Sequence, residues 1–236
     1  LTHLPQKAGE LWLNHPPGMQ MAYSNLGFTL LGAAIERSSG QPFETRLQQH
    51  LLKPLGMAHS SFIGTSSLQP YRARGYLQGQ RSKDPEISDL PASGLWTTPR
   101  DVGQFVQMLF SQGRFDGRQV LNRQSIEQMF RQHNRANGPD VDCPIGLAWY
   151  LGPCGDPRIG PQLQQWQHSG STGDFAAQLS VLPEPKLAVV VMANADTAEA
   201  LVSDLATQAL RLMLQAHGSQ LACPRDCQPS LPPLRL

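Results

Sequence analysis

The sequence predicts an α+β protein, with helices first, antiparallel strands next and a closing helix. Three observations carry this reading. Up to Phe130 the apolar residues recur at intervals of three to four. After Gly138-Pro139 the interval falls to two. A helical pattern returns once, behind the last apolar strand.

The elements follow in order. Leu1 to Met21 holds Pro5, Pro16 and Pro17 and no sustained pattern. A helix fits Leu26 to Ser38: Ser24 or Asn25 can cap it, Leu26, Leu30, Ala34 and Ser38 share a face, and Gly40 stops it. A second opens at Pro42 with Phe43, Leu47 and Leu51 at spacing four. It should end before Pro54, which pushes Lys53 out of the helical region. Residues 64–95 read as a long irregular covering loop with the polar run Gln80 to Asp84. A third helix starts with Thr98 as cap, Pro99 as first residue and Asp101 three after the cap. Val102, Phe105, Val106 and Leu109 form its stripe. A short fourth fits Gln124 to Phe130.

Beyond Pro139, Ile145 to Leu151 and Phe175 to Val181 alternate, and Leu187 to Met192 is apolar on both faces. Glu184-Pro185-Lys186 reads as a hairpin turn between the last two. The final helix is expected from a cap at Asp196, with Glu199 three later, to Leu214. Gly218 to Leu236 is a Pro-rich tail, ordered by contact or disordered, with a docking peptide as the alternative. The predicted organisation is therefore 1–138, 139–217 and 218–236.

Composition narrows the function. The 236 residues carry 19 basic and 18 acidic side chains, a net charge of +1, which gives no reason to expect nucleic acid or an anionic membrane as partner. No apolar run approaches the ~20 residues of a membrane span. The chain begins at Leu1 with no basic-then-apolar leader, so the expectation is a piece of a longer protein with any address signal upstream. Cys143, Cys154, Cys223 and Cys227 form no Cys-x-x-Cys pair and no zinc-finger spacing, and no metal or organic cofactor is implied. If Ile145 to Leu151 were one strand, its ends would lie ~25 Å apart, so Cys143 and Cys154 should not pair unless the chain doubles back. The compartment leans toward an oxidising, extracytoplasmic one.

Several signatures are missing: the Gly-x-Ser-x-Gly elbow, the phosphate loop, the dinucleotide fingerprint and His-Glu-x-x-His. Asp140 and Asp142 read as a solvated turn. Two segments remain. Tyr23-Ser24-Asn25 stands at the entrance to a helix. Gln167-His168-Ser169-Gly170-Ser171-Thr172-Gly173 is a polar run between strands. Taken alone, Asn25 could be a helix cap, Tyr23 a half-buried aromatic, and the glycines turn formers.

Together they resemble the serine β-lactamase and penicillin-binding protein superfamily, nearest its class C-type branch. The resemblance runs from Pro16 to Gln215. It includes Tyr23-Ser24-Asn25 leading into Leu26 to Glu36, Pro54-Leu55-Gly56-Met57, Pro91 to Thr98 before a helix, and His168-Ser169-Gly170 followed by a hairpin ending in Asn194. It implies a helical domain beside an antiparallel sheet flanked by helices, with the active site in the cleft between. It also implies a serine nucleophile working through an acyl-enzyme on an amide or ester, with a small molecule or peptide as substrate. Tyr23 and His168 would be the catalytic groups, facing each other across one groove. Asn25, Ser169, Gly170 and Ser171 would hold the substrate, Ser171 by lending a backbone N–H to the oxyanion hole. A phenol acts as base or relay only when cations nearby stabilise its anion. His168 stands where many relatives carry Lys, and an imidazole keeps a donor but holds its full charge only under mildly acidic conditions.

One element is missing. No Ser in the chain is followed three residues later by Lys; the nearest miss is Ser111-Gln112-Gly113-Arg114. The expectation is thus a chain lacking the nucleophile helix and N-terminal strands of the fold, which would leave a sheet edge unpaired. The alternative is a catalytically inactive member serving as an interaction or scaffold protein.

Overall fold

The computed structural model describes residues 12–83, 87–135, 143–152, 157–159 and 163–217. Helix α1 (Asn25–Ser39) begins where Ser24 turns extended and its Oγ accepts the Gly27 N–H at 2.9 Å. It ends at Gly40, whose left-handed φ of 67° lets its N–H return to the Glu36 carbonyl. Only Thr29 and Gly32 of this helix are buried, and Leu26, Phe28, Leu31 and Ile35 stay exposed.

Helix α2 (Phe43–Leu47) follows, with Glu36 Oε1 accepting the Phe43 N–H at 2.9 Å. A π-helical turn, Gln48–Leu52, carries it onward. Here the expectation for Lys53 fails: it keeps helical angles (φ −64°, ψ −47°) beside Pro54. The wider turn explains this. Lys53 donates to Gln48 and Met57 donates to Leu52, both five residues back, so the coil passes Pro54 without the bond that a proline would break.

The described residues between 64 and 95 form more regular structure than the sequence suggested. They hold a 3-10 turn (Gln69–Tyr71), a hairpin of β1 (Tyr76–Leu77) and β2 (Gln80–Arg81), and a single helical turn α3 (Leu90–Ser93). Helix α4 (Pro99–Phe110) starts as read, with Thr98 Oγ1 accepting the Asp101 N–H. A small hairpin, β3 (Arg114–Phe115) with β4 (Arg118–Gln119), leads to α5 (Arg123–Met129), capped by Asn122.

The main sheet is antiparallel in the order β5 (Tyr150–Leu151), β6 (Trp166–Ser171), β7 (Ala176–Leu182) and β8 (Leu187–Ala193). β8 lies at one margin, with no strand on its outer side among the described residues. Helix α6 (Glu199–Ala216) covers one face, where Leu210 and Leu214 pack with Leu182, Leu187 and Val189. The other face meets the helical part. Leu52, Leu55, Met108, Leu109 and Ile126 join Trp149, Leu151, Trp166 and Leu179 in one core. The Phe130 ring stacks on Trp166 at 3.5 Å between centroids. Large aromatic rings bring much apolar area to such a contact, and these two lie partly buried against the core.

Three corrections fall in this half. Ile145 to Leu151 is not one strand, because Ile145 bridges back to Tyr150 and only Tyr150 and Leu151 pair with β6. Ala148 takes a left-handed φ of 63°, which reverses the run. The extended geometry that set Cys143 apart from Cys154 therefore does not hold, because the chain doubles back, and Cys143 is disulfide-bonded. Cys154, Cys223 and Cys227 lie outside the described residues, as do Asp140, Asp142 and the Pro-rich tail. Finally, Asp196 does not cap α6. The helix starts later, with Ala198 at the cap position and no side-chain bond there, while the Asp196 carboxylate accepts the Gln78 N–H at 3.0 Å. The hairpin has claimed the capping group.

Candidate functional site

Tyr23 and His168 are 145 residues apart in sequence and close in space, with ring centroids 6.2 Å apart and planes tilted by 40°. Tyr23 occupies the extended lead-in to α1 and is 62% exposed. The Ser24 cap fixes where this lead-in joins the helix. Asn25 is the first helical residue and is exposed. Ser24, not Asn25, does the capping, so the Asn25 amide is not spent on the helix terminus.

His168 stands in the middle of β6, opposite Leu179 of β7. The two-residue period of a strand puts it on the same face as Trp166, the face that meets the helical core. Its Nδ1 lies 2.6 Å from the Ser169 carbonyl oxygen. A carbonyl only accepts, so Nδ1 carries the hydrogen and Nε2 is left for other work.

Sheet register gives the site its second feature. β5 is short, and its pairing with β6 ends at Tyr150 opposite Gln167. From His168 to Ser171, β6 pairs with β7 alone, so its other edge is open among the described residues. Ser169, Gly170 and Ser171 are all exposed there. A Cβ added at Gly170 would meet nothing within 4 Å, so open space lies over this edge. An open strand edge offers alternating N–H and C=O groups to an extended partner. The structure thus gathers Tyr23, His168 and the Ser169 to Ser171 edge in one region, with Asn25 on the helix turn next to Tyr23.

Three side chains that sequence reasoning passed over frame this region. Tyr150 places its ring 5.9 Å from that of His168. Asp174, in the turn after β6, is buried and accepts from Ser82 Oγ at 2.6 Å and from Thr172 Oγ1 at 3.3 Å. Trp96 meets Phe175 edge-on at 5.6 Å and carries the Arg72 guanidinium 3.8 Å above its ring. The loop expected to cover the site is therefore fastened to the turn that follows β6. Its hairpin is tied to the end of β8 as well: Tyr76 N–H donates to Asn194, Asp196 N–H donates to Tyr76, and Asn194 Nδ2 donates to Arg74. Only weak sequence signals marked these residues: Tyr150 is the last polar position of the alternating run that ends at Leu151, and Asp174 follows a Ser-Thr-Gly turn. Among the described residues no group of three His, Cys, Asp or Glu side chains could hold a metal, and no helix is long and apolar enough to cross a membrane.

Comparison with known proteins gives this arrangement a family. The family model described as Beta-lactamase matches residues 3–213, and the chain belongs to that family. Among curated relatives, the D-alanyl-D-alanine-carboxypeptidase/endopeptidase AmpH of Escherichia coli (strain K12) is 26% identical over 189 residues. That alignment takes in 76% of this chain and 46% of the relative. The putative penicillin-binding protein PbpX of Bacillus subtilis (strain 168) is 29% identical over 136 residues, 56% of this chain and 32% of the relative. The chain therefore spans less than half the length of these relatives. Two solved structures share the fold. The octameric penicillin-binding protein homologue from Pyrococcus abyssi superposes with a TM-score of 0.74 at 24% identity, over 91% of this chain and 47% of that one. A class C beta-lactamase superposes with a TM-score of 0.75 at 22% identity, over 89% and 62%. The α+β architecture read from the sequence, helices beside an antiparallel sheet, is that of these neighbours.

Proposed function

We propose that the complete protein is a serine hydrolase of β-lactamase type that opens an amide or ester through an acyl-enzyme. The attacking serine and its Ser-x-x-Lys lysine are not in these 236 residues. This chain supplies the rest of the site. The observation that carries the reading is the 6.2 Å approach of Tyr23 and His168 beside the open edge of β6.

Each group has a role in this proposal. The substrate, a small molecule or peptide, lies along β6 from Ser169 to Ser171 as an added strand would. The Ser171 N–H points its dipole at the carbonyl oxygen that becomes negative on attack, an interaction worth about 3 kcal/mol in the transition state. The Asn25 amide, donor and acceptor at once, holds the substrate from the helix side. Tyr23 and His168 pass the proton from the attacking serine toward the leaving group. The Cys143 disulfide fits an oxidising compartment.

The test is to treat the complete protein with a fluorophosphonate and, separately, a penicillin probe, and to locate the adduct by mass spectrometry. A single modified serine, four-residue motif Ser-x-x-Lys, is expected. A protein that takes no label while catalysing nothing would instead be a scaffold built on the same fold.

A further inference from the structure

We infer that Tyr150 is a positioning residue of this site: with the Ser169 carbonyl it holds the His168 imidazole in one orientation and one tautomer, so that Nε2 is the nitrogen that exchanges a proton. The inference deepens the hydrolase reading and rests on it for its catalytic consequence.

Two rings meet His168. They approach to 6.2 Å (Tyr23) and 5.9 Å (Tyr150), tilted by 40° and 39°. Their surroundings differ. Tyr23 is 62% exposed on a lead-in segment. Tyr150 is half-buried and held at both sides: it pairs with Gln167 of β6 and bridges to Ile145. The chain spends backbone strain to put it there. Ala148, two residues before, has φ 63°, a region that a residue with a Cβ seldom enters. The next residue after β5, Gly152, has φ 121°. Two left-handed positions thus bracket the short strand that carries Tyr150.

The imidazole is then constrained in two independent ways. The Ser169 carbonyl, 2.6 Å from Nδ1, keeps a hydrogen on that nitrogen in both charge states. Tyr150 supplies a wall beside the ring, at a centroid separation within the roughly 4.5–7 Å range of aromatic pairs. The titratable groups whose rings approach His168 are Tyr23 and Tyr150. Its strand neighbours Gln167 and Ser169 and its cross-strand partner Leu179 are neutral, and no ion pair to it is present among the described residues. Whatever proton His168 takes up or gives away is therefore carried on Nε2.

The test uses the complete protein with 15N-labelled histidine. In its neutral form, His168 should show the Nδ1–H, bare-Nε2 signature as a single species. Tyr150→Thr removes the ring while keeping a residue that favours strand, and Tyr150→Leu is read in parallel. Both should give a mixture of tautomers, a displaced midpoint in the pH profile of kcat/KM, and a loss of about 3- to 10-fold in kcat/KM. Tyr150→Phe should restore all three, because the ring and not the hydroxyl is required. A wild-type His168 with its hydrogen on Nε2 overturns the inference without any variant. So does a Thr or Leu variant with an unaltered tautomer. If the hydrolase reading fails, no variant turns over substrate, yet the nitrogen shifts still decide the role of Tyr150.

Discussion

Replacing Asp101 by Ala tests how the helical part is anchored. Asp101 is 1% exposed at the first turn of α4. One carboxylate oxygen, Oδ2, accepts the His59 backbone N–H at 2.8 Å and the Ser60 hydroxyl at 2.7 Å. Ser60 is itself 2% exposed and also lies 2.7 Å from Thr97 Oγ1. A hydrogen bond to a charged group contributes roughly 1.5–3 kcal/mol. Ala at this position leaves the His59 N–H without its acceptor, whereas Ser60 can fall back on Thr97. One full bond and part of another are lost, and a small void remains. The expected cost is about 3–4 kcal/mol, within the range for breaking a buried polar arrangement from one side. Asp101→Asn keeps one oxygen and should cost about 1–2 kcal/mol. Urea unfolding followed by tryptophan fluorescence reads this directly. With a slope of roughly 2–3 kcal/mol per molar, the Ala variant should unfold about 1–2 M earlier. An Ala variant within about 1 kcal/mol of wild type, or an Asn variant as unstable as Ala, would show that the network is not what ties residues 59–60 to α4.

Two further outcomes follow from the same geometry. Gly75 is buried so tightly that a Cβ would collide with the Asp174 carboxylate and come within 2.7 Å of Ser82 Oγ. Gly75→Ala should therefore break the Ser82–Asp174 bond, cost about 1–3 kcal/mol, and speed amide exchange at Tyr76, whereas wild-type protection would mean the hairpin shifts aside at no cost. Tyr23→Phe in the complete protein should slow acylation by about 100-fold or more while leaving the unfolding midpoint unchanged, since the residue is 62% exposed. A rate within a few-fold of wild type would remove the phenol from the chemistry.

Much of this was legible along the chain because it is locally encoded. Thr98, Pro99 and Asp101 specify the start of α4 through bonds that span three residues. The alternation around Leu179 and the apolar run at Leu187 to Met192 specify β7 and β8 because the side-chain period of a strand is two. Tyr23-Ser24-Asn25 and His168-Ser169-Gly170 stood out as polar sets where strands and helices meet. Local pattern misled at Lys53, where a π turn absorbed the proline, and at Ile145 to Leu151, where alternation described a chain that reverses.

What the amino-acid order determined alone was the kind of each long element and the local setting of its two polar motifs, since both depend on neighbours a few positions away. Tertiary structure decided which distant groups compete for the same partner. Asp196 has the composition of a helix cap, but it bonds to Gln78, 118 residues earlier, because the hairpin delivers an N–H to it first. Tyr150 reads as one more strand aromatic until β5 stops short and turns it toward His168. Pairings of this kind depend on how the sheet closes against the helices, and no window of sequence contains both members.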